Sequence, residues 1–347
     1  MSKEIRENNL DILRVIAAIM VIIQHVLAIY IFRTRDNLPG YTTTANLFMS
    51  VSVFAIPIFV MLSGAFLLDD NKNKDYHKFY KKIIKRIIIP MIIWSLLYFL
   101  YTMLKTLISF KSGQDVSFSE PVINLINGRP YYHIWYLYMV TGLYMIVPIL
   151  IRLKDDTGDV KFFYVGIVSL LLGIIINFTC NLFWILWFTE YLGYFILGYS
   201  FRKIYQKKYV NSIFPILITL SCSTLIFILK EKNILSKYLN VWGNLTPLVI
   251  IGSIAIYIAF LNMKRIKLNC NALVDNCFNI YLIHHGLLDI LGIIQNKITV
   301  KKLNPIVYIP IMTIVVFVLS YLISLIINKF IKLKSNSIKN DIKIENL

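Results

Sequence analysis

Long apolar stretches alternate with short polar segments along the whole chain. Each stretch holds about 20 residues, enough for an α-helix to cross the roughly 30 Å hydrocarbon core of a membrane. The pattern predicts ten helices, over residues 10–32, 46–68, 84–105, 132–151, 162–180, 183–200, 211–229, 244–262, 278–296 and 304–330. Only a tight turn within Phe178 to Trp184 separates the fifth and sixth, so a single re-entrant hairpin is an open alternative there. We predict an all-α, polytopic membrane protein.

The polar segments between these stretches are short, and none has the length of a soluble domain. We therefore predict a single transmembrane domain over residues 1–331, followed by a polar cytoplasmic tail over 332–347. The composition agrees with this prediction. Apolar residues make up 58% of the chain and charged residues 16%, whereas soluble domains have about 45–50% and about 25%.

The strongly basic balance of the chain follows its predicted topology. The formal net charge is +18, from 36 Lys and Arg against 18 Asp and Glu. If the N-terminus is cytoplasmic, 24 of the 36 basic residues lie in cytoplasmic segments and 11 in outer segments. This asymmetry is the positive-inside rule, and it predicts that both termini are cytoplasmic. The charge is thus assigned to topology and to contact with membrane lipids, not to nucleic-acid binding.

The first predicted helix carries three ionisable residues within LDILRVIAAIMVIIQH. Arg14 and His25 are 11 residues apart, about 1100° at 100° per residue, so their side chains share one helix face. Asp11 lies three residues before Arg14, within reach of an ion pair. Two interpretations are open: an interfacial Asp11–Arg14 pair with a separate core histidine, or a polar channel with an anion site at Arg14 and a proton-transfer group at His25.

Further ionisable residues lie inside later predicted helices. His133 begins the fourth, Glu190 lies in the sixth, and His284 lies in the ninth. Each could be a local structural group or part of a site. His285 and Asp289, close to the outer end of the ninth helix, are interpreted as structural.

Aromatic residues gather near the predicted outer boundary of the membrane. The tryptophans concerned are Trp135, Trp184 and Trp187. Such residues are typical of the membrane interface. Sugar-binding sites also place aromatic rings beside carboxylates, so a substrate platform is the alternative.

The most basic segment, KDYHKFYKKIIKRIIIP, leads into the third predicted helix. Its Lys82, Lys85 and Arg86 stand at positions i, i+3 and i+4, on one face of an α-helix. The segment is either an anchor on anionic lipid or a cluster that holds a phosphorylated donor.

Taken together, these segments resemble acyltransferase family 3. LDILRVIAAIMVIIQH is similar to the family's first helix, which carries an Arg, ten residues and a His. The resemblance continues through FVMLSGAFLL, KRIIIPMIIWSLLY, HIWYLYMVTGLYMIVPIL, EYLGYFILGY and IYLIHH. HIWYLYMVTGLY looks most like the stand-alone members that O-acetylate bacterial surface polysaccharides. In one departure, Ile83 stands where many members have the first Arg of Arg-x-x-Arg, and Arg86 matches the second.

The resemblance implies an integral enzyme of the bacterial cytoplasmic membrane that moves an acyl group from cytoplasmic acyl-CoA to a sugar hydroxyl. By position, it makes His25 the catalytic residue and Arg14 a donor-side residue. We expect the donor side to comprise Arg14, Asp11, Lys82, Lys85 and Arg86, and the acceptor side His133, Trp135, Glu190 and His284. His25 would act as a general base or, alternatively, would form an acyl-histidine intermediate.

The expected partners are acyl-CoA, acetyl-CoA in particular, and a sugar, polysaccharide or lipid-linked glycan. Acyl-CoA is a co-substrate, and no permanently bound cofactor is expected. The four cysteines include no C-x-x-C pair, so no metal site is predicted. A transporter or exporter of a small anion or glycan is the alternative class, because polar groups and prolines inside predicted helices also suit transport.

Overall fold

The computed structural model describes residues 8–34, 39–205, 211–234, 240–264, 266, 268–297 and 304–345. Every regular element in these ranges is a helix, as predicted. The α-helices are α1 (Asn8–Thr34), α2 (Pro39–Ser52), α3 (Ala55–Leu67), α4 (Tyr76–Ile83), α5 (Ile89–Lys111), α6 (Ser119–Ile126), α7 (Trp135–Met145), α8 (Val147–Thr179), α9 (Phe188–Tyr205), α10 (Ile213–Glu231), α11 (Pro247–Asn262), α12 (Asn271–Lys297) and α13 (Pro305–Glu345).

Six helical stretches in the described ranges are long and apolar enough to cross a membrane. They are Asn8–Ile31, Thr42–Leu67, Tyr76–Lys111, Val147–Thr179, Ile213–Glu231 and Pro305–Lys329. Each of the ten predicted segments overlaps at least one of the observed helices. The membrane-protein class is therefore supported, and the count of ten spans stays a prediction.

Two predicted helices are interrupted near a proline. The helix predicted over 46–68 is two helices, with Val53 and Phe54 in a turn between α2 and α3. Pro57 lies in the first turn of α3, where its missing N–H costs no hydrogen bond and its ring obstructs an unbroken helix from α2. In the same way, α7 stops at Met145, and Pro148 stands in the first turn of α8.

Helical structure also extends into segments predicted as loop or tail. Residues 152–161 continue α8, with a kink at Gly158. The φ angle of Gly158 is 76°, a value that residues other than glycine rarely adopt. The helix α13 continues to Glu345, so most of the predicted tail is helical, in a segment without glycine or proline. Two short helices, α4 and α6, lie outside the ten predicted segments. Asp75 caps α4 by accepting the backbone N–H of Lys78 at 3.2 Å, and this bond lowers the pKa of Asp75.

The chain divides into two compact units. The first unit falls within Met1–Ala55, Leu220–Gly243 and Met263–Leu347, and the second within Ile56–Thr219 and Asn244–Asn262. In the first unit, α1 packs against α2, α12 and α13. The buried core between them contains Ile22, Val26, Leu27, Tyr30, Ala45, Ile280, Leu288, Tyr308, Ile309, Met312 and Val316. Its α1 members flank His25 in sequence.

In the second unit, α8 and α9 pack closely because glycines line their contact. A Cβ atom added at Gly173 of α8 would collide with the carbonyl oxygen of Glu190 on α9. A Cβ atom added at Gly193 would collide with the backbone of Leu170. Small residues at such positions let the backbones of membrane helices approach each other.

Replacing Gly173 with alanine is expected to destabilise the second unit. Since the added methyl group meets backbone, α8 and α9 must separate, and overpacking of this kind costs about 1–3 kcal/mol. The measurement is the thermal unfolding midpoint of the purified protein in detergent. Leu172→Ala is the control, because the Leu172 side chain is 52% exposed on the same helix. Equal midpoints for the two variants would contradict the close contact.

Candidate functional site

The ion pair predicted on the first helix is present in the structure. The guanidinium Nη1 of Arg14 lies 3.7 Å from Oδ1 of Asp11, one helical turn earlier. The Asp11 side chain is 4% exposed, whereas that of Arg14 is 25% exposed. A buried carboxylate beside a partly open guanidinium orients the cation and leaves part of it accessible to an anion.

His25 lies on the same helix and contacts two further histidines. Its ring centroid is 5.1 Å from that of His284 and 4.9 Å from that of His285, both on α12. His284 and His285 are buried, and His25 is half-buried. The three rings form one cluster within the first unit, which we call the histidine cluster. Among the described residues, no group of three or more His, Cys, Asp or Glu side chains could hold a metal ion.

The packing of α1 positions the histidine cluster. Gln24, the residue before His25, donates from its side-chain amide to the carbonyl of Ser52 at 2.5 Å, at the end of α2. Ile22 and Val26 are buried in the core on either side. The rotation of α1 is therefore fixed at the position of His25.

The hydrogen bonding of His284 determines which of its ring nitrogens carries a proton. Its Nδ1 lies 2.6 Å from the carbonyl oxygen of Tyr281, one turn earlier on α12. A carbonyl only accepts hydrogen bonds, so Nδ1 is the protonated nitrogen. In the neutral ring, Nε2 then carries the lone pair and can accept a proton or a hydrogen bond.

The histidine cluster includes two residues to which the sequence assigned other roles. His284 was expected on the acceptor side, and the structure brings it to the ring of His25. His285 was interpreted as a local structural group, and it too contacts His25. Its nearness to the outer end of a predicted helix carried no information about what α12 packs against.

The second unit contains a separate cavity of about 870 Å³. Its lining is rich in charged, aromatic and amide side chains. These are Lys105, Glu120, Arg129 and Glu190; Tyr131, Tyr132, Trp135, Trp187 and Tyr191; and Asn124, Asn177, Asn181 and Asn244. Two predicted acceptor-side residues, Trp135 and Glu190, therefore line one cavity.

The carboxylate of Glu190 is held in place at the cavity wall. Its Oε2 accepts a hydrogen bond from Nδ2 of Asn177 at 3.0 Å. The guanidinium of Arg129 lies 4.6 Å from the centroid of the Trp187 ring, and its charge also acts on Glu190. Glu190 is thus a fixed acceptor beside a stacked cation.

Aromatic rings form a corner in the same lining. Trp135 lies 6.2 Å from Trp187 at 80° and 6.0 Å from Tyr191 at 45°, between ring centroids. Nδ2 of Asn244 donates to the Tyr191 hydroxyl at 3.0 Å, which leaves the hydroxyl proton of Tyr191 to donate elsewhere. This corner combines apolar ring faces with oriented polar groups.

His133, the third residue expected on the acceptor side, is buried behind this wall. It precedes α7, which begins at Trp135, and its ring lies 5.0 Å from Tyr98 and 6.0 Å from Tyr131. Tyr131 lines the cavity, and its ring is stacked on that of Tyr98 at 4.7 Å. His133 therefore supports the lining and is not part of it.

The predicted basic cluster lies on an irregular helix. Lys82 is in α4, but Lys85 and Arg86 lie in a π-helical segment, Ile84–Ile88. A π turn contains an extra residue, so the α-helical spacing of the three side chains does not hold across it. All three side chains are exposed, as contact with lipid headgroups or with a phosphorylated ligand requires.

Comparison with known proteins identifies one family. The model of acyltransferase family 3, described as an acyltransferase domain, matches residues 7–325 of the chain. No curated protein and no solved structure matches the chain.

Proposed function

The chain belongs to this acyltransferase family, and we propose that it is a stand-alone O-acetyltransferase of the bacterial cytoplasmic membrane. It takes the acetyl group from cytoplasmic acetyl-CoA and transfers it to a hydroxyl of a cell-envelope sugar or polysaccharide. In this proposal the chain crosses the membrane ten times with both termini in the cytoplasm, in keeping with the distribution of Lys and Arg.

The observation that carries the proposal is the contact of His25 with His284 and His285 on a helix that also holds the Asp11–Arg14 pair. A neutral, half-buried imidazole can accept a proton from a hydroxyl, becoming a cation, and release the proton in a later step. Eleven residues separate Arg14 from His25, about 16 Å of helix rise, which is room for an extended donor arm between an anion contact and a base.

In the proposed reaction, His25 removes the proton of the acceptor hydroxyl as its oxygen attacks the thioester carbonyl. The new C–O bond forms, the C–S bond breaks, and CoA leaves as a thiolate that takes up the proton. A positioned base of this kind contributes about 10²–10⁴-fold to a rate. In the alternative route, a His25 ring nitrogen accepts the acetyl group first and passes it to the hydroxyl.

On the donor side, we propose that Arg14, Lys82, Lys85 and Arg86 contact the phosphates of CoA, with Asp11 orienting Arg14. The partial exposure of Arg14 and the exposure of the other three support this assignment. The planar guanidinium of arginine suits phosphate better than the point charge of lysine, so the arginines are expected to contribute most.

The test is acetyl transfer by the purified protein in detergent. Radiolabelled acetyl-CoA is mixed with envelope polysaccharide from which ester groups have been removed by mild alkali. We expect CoA release that requires the polysaccharide and label that becomes alkali-labile on it. A transporter would bind or move its substrate without releasing CoA, and that result would contradict the proposal.

Arg14→Ala is expected to raise the KM for acetyl-CoA by about tenfold to hundredfold, since a charge-assisted hydrogen bond contributes about 1.5–3 kcal/mol. The KM for the polysaccharide should change little, because Arg14 acts on the donor. Arg14→Lys keeps the positive charge but lacks the planar guanidinium. Its KM for acetyl-CoA should lie between those of the unaltered protein and Arg14→Ala. An unchanged donor KM in Arg14→Ala would remove Arg14 from the donor site.

A further inference from the structure

We infer that the cavity of the second unit binds uncharged sugar units of the acceptor glycan. The inference rests on the proposed function and specifies the chemistry of its acceptor. It is drawn from the charges, hydrogen-bonding groups, aromatic rings and volume of the lining.

The charges of the lining favour an uncharged ligand. Its charged side chains are Lys105, Arg129, Glu120 and Glu190, two of each sign. A site for phosphate or uronate needs a surplus of cations, because each nearby carboxylate repels an anion. Here Arg129 is stacked on Trp187 and its charge acts on Glu190. The lining therefore offers no net positive charge to an acidic glycan.

The polar groups of the lining match the hydroxyls of a sugar. Glu190 is an acceptor fixed by Asn177, and Tyr191 is a donor fixed by Asn244. Within the described ranges, the indole N–H of Trp135 donates to no protein acceptor, although this side chain lines the cavity. A carboxylate beside amide and hydroxyl donors can bind neighbouring sugar hydroxyls, which both donate and accept.

The ring of Trp135 provides an apolar surface for a sugar. The Trp135 side chain is half-buried, whereas Trp187 is 8% exposed and has Arg129 over its face. A pyranose ring has an apolar C–H face and a polar rim, so it can stack on Trp135 while its hydroxyls reach Glu190. Apolar walls with a few placed polar groups are typical of specific ligand pockets.

The volume is consistent with more than one sugar unit. At about 870 Å³, the cavity lies near the upper end of the range of about 300–1,000 Å³ for small-molecule sites. A short oligosaccharide segment is therefore a better match in size than a single small anion.

The test is equilibrium binding without any acyl donor. Fluorescently labelled chitotetraose, maltotetraose and galactotetraose serve as neutral probes, and tetragalacturonate is the acidic probe of similar length. Binding to the full chain in detergent is followed by anisotropy. We expect at least one neutral probe to bind more tightly than tetragalacturonate. Tighter binding of tetragalacturonate, or no binding of any probe at millimolar concentration, would overturn the inference.

Two variants connect the binding to the cavity. Glu190→Gln keeps the shape of the side chain and should lower the affinity for the neutral probe about tenfold. The reason is that a hydrogen bond to a charged group is replaced by a neutral one. Trp135→Ala should lower this affinity at least as much. Trp242→Ala, in the first unit and outside the lining, is the control and should leave binding unchanged. Unchanged binding in both cavity variants would overturn the inference.

Failure of this inference is distinguishable from failure of the proposed function. Sugar binding in this cavity by a protein that releases no CoA would contradict the acyltransferase proposal alone. Normal acetyl transfer, with an unchanged KM for the polysaccharide in Glu190→Gln and Trp135→Ala, would contradict the cavity inference alone.

Discussion

His25→Ala is expected to lower acetyl transfer by about 10²–10⁴-fold, the contribution of a positioned general base. The loss should appear in kcat, since the variant removes no group assigned to donor or acceptor binding. The measurement is CoA release in the presence of saturating polysaccharide. Size-exclusion chromatography and the thermal unfolding midpoint check that the variant remains folded.

His77→Ala is the matched control for this experiment. His77 lies on α4 with an exposed side chain, so the same substitution there removes an imidazole without touching the histidine cluster. Its rate should equal that of the unaltered protein. If His25→Ala transfers acetyl groups at a near-normal rate, His25 is neither base nor nucleophile, and the proposed mechanism is wrong.

The same variant separates the two chemical routes. Without an acceptor, an acyl-histidine route leaves radiolabel from acetyl-CoA on the protein, and the label should be absent from His25→Ala. A direct transfer with His25 as base leaves no label on either protein. Together with a lowered rate in His25→Ala, either result assigns a catalytic role to His25, and the two results differ in which atom the acetyl group meets first.

Local spacing predicted the parts of the site that lie on one helix. The Asp11–Arg14 contact follows from three residues of separation, and the position of His25 follows from its distance to Arg14. Spacing along one helix does not predict which residues of different helices contact each other. The helix bearing His285 was predicted, but its packing on α1 depends on core residues from several segments. For that reason the sequence did not predict the contact of His285 with His25.

The cavity shows the same division between local and tertiary information. Glu190 stands out in sequence because a carboxylate inside a membrane helix is costly, and Trp135 stands out as one of the tryptophans near the predicted boundary. Asn177 and Tyr191 give no such signal, since amides and tyrosines are ordinary at helix ends. Asn177 nevertheless holds the Glu190 carboxylate, and Tyr191 forms part of the lining. His133 gave a strong sequence signal but lies behind Tyr131.

His284→Phe is expected to lower kcat by about tenfold to hundredfold with little change in either KM. Phenylalanine keeps an aromatic ring against His25 but removes the Nδ1–H bond to Tyr281 and the lone pair on Nε2. Loss of a buried hydrogen bond costs about 1–3 kcal/mol, and an equal rise in the activation free energy gives this range of rates. His284 is thus expected to act as a positioning residue for His25.

The control must show that the effect comes from the nitrogens of His284 and not from ring packing. His284→Gln is the matched variant, because it removes the ring but keeps a polar amide at the end of the side chain. If packing alone matters, His284→Phe keeps kcat and His284→Gln loses it. If the nitrogens of His284 hold His25 in its reactive state, His284→Phe loses more kcat than His284→Gln. A normal kcat in a folded His284→Phe protein would show that His284 does not position His25, and would leave His285 as the candidate for that role.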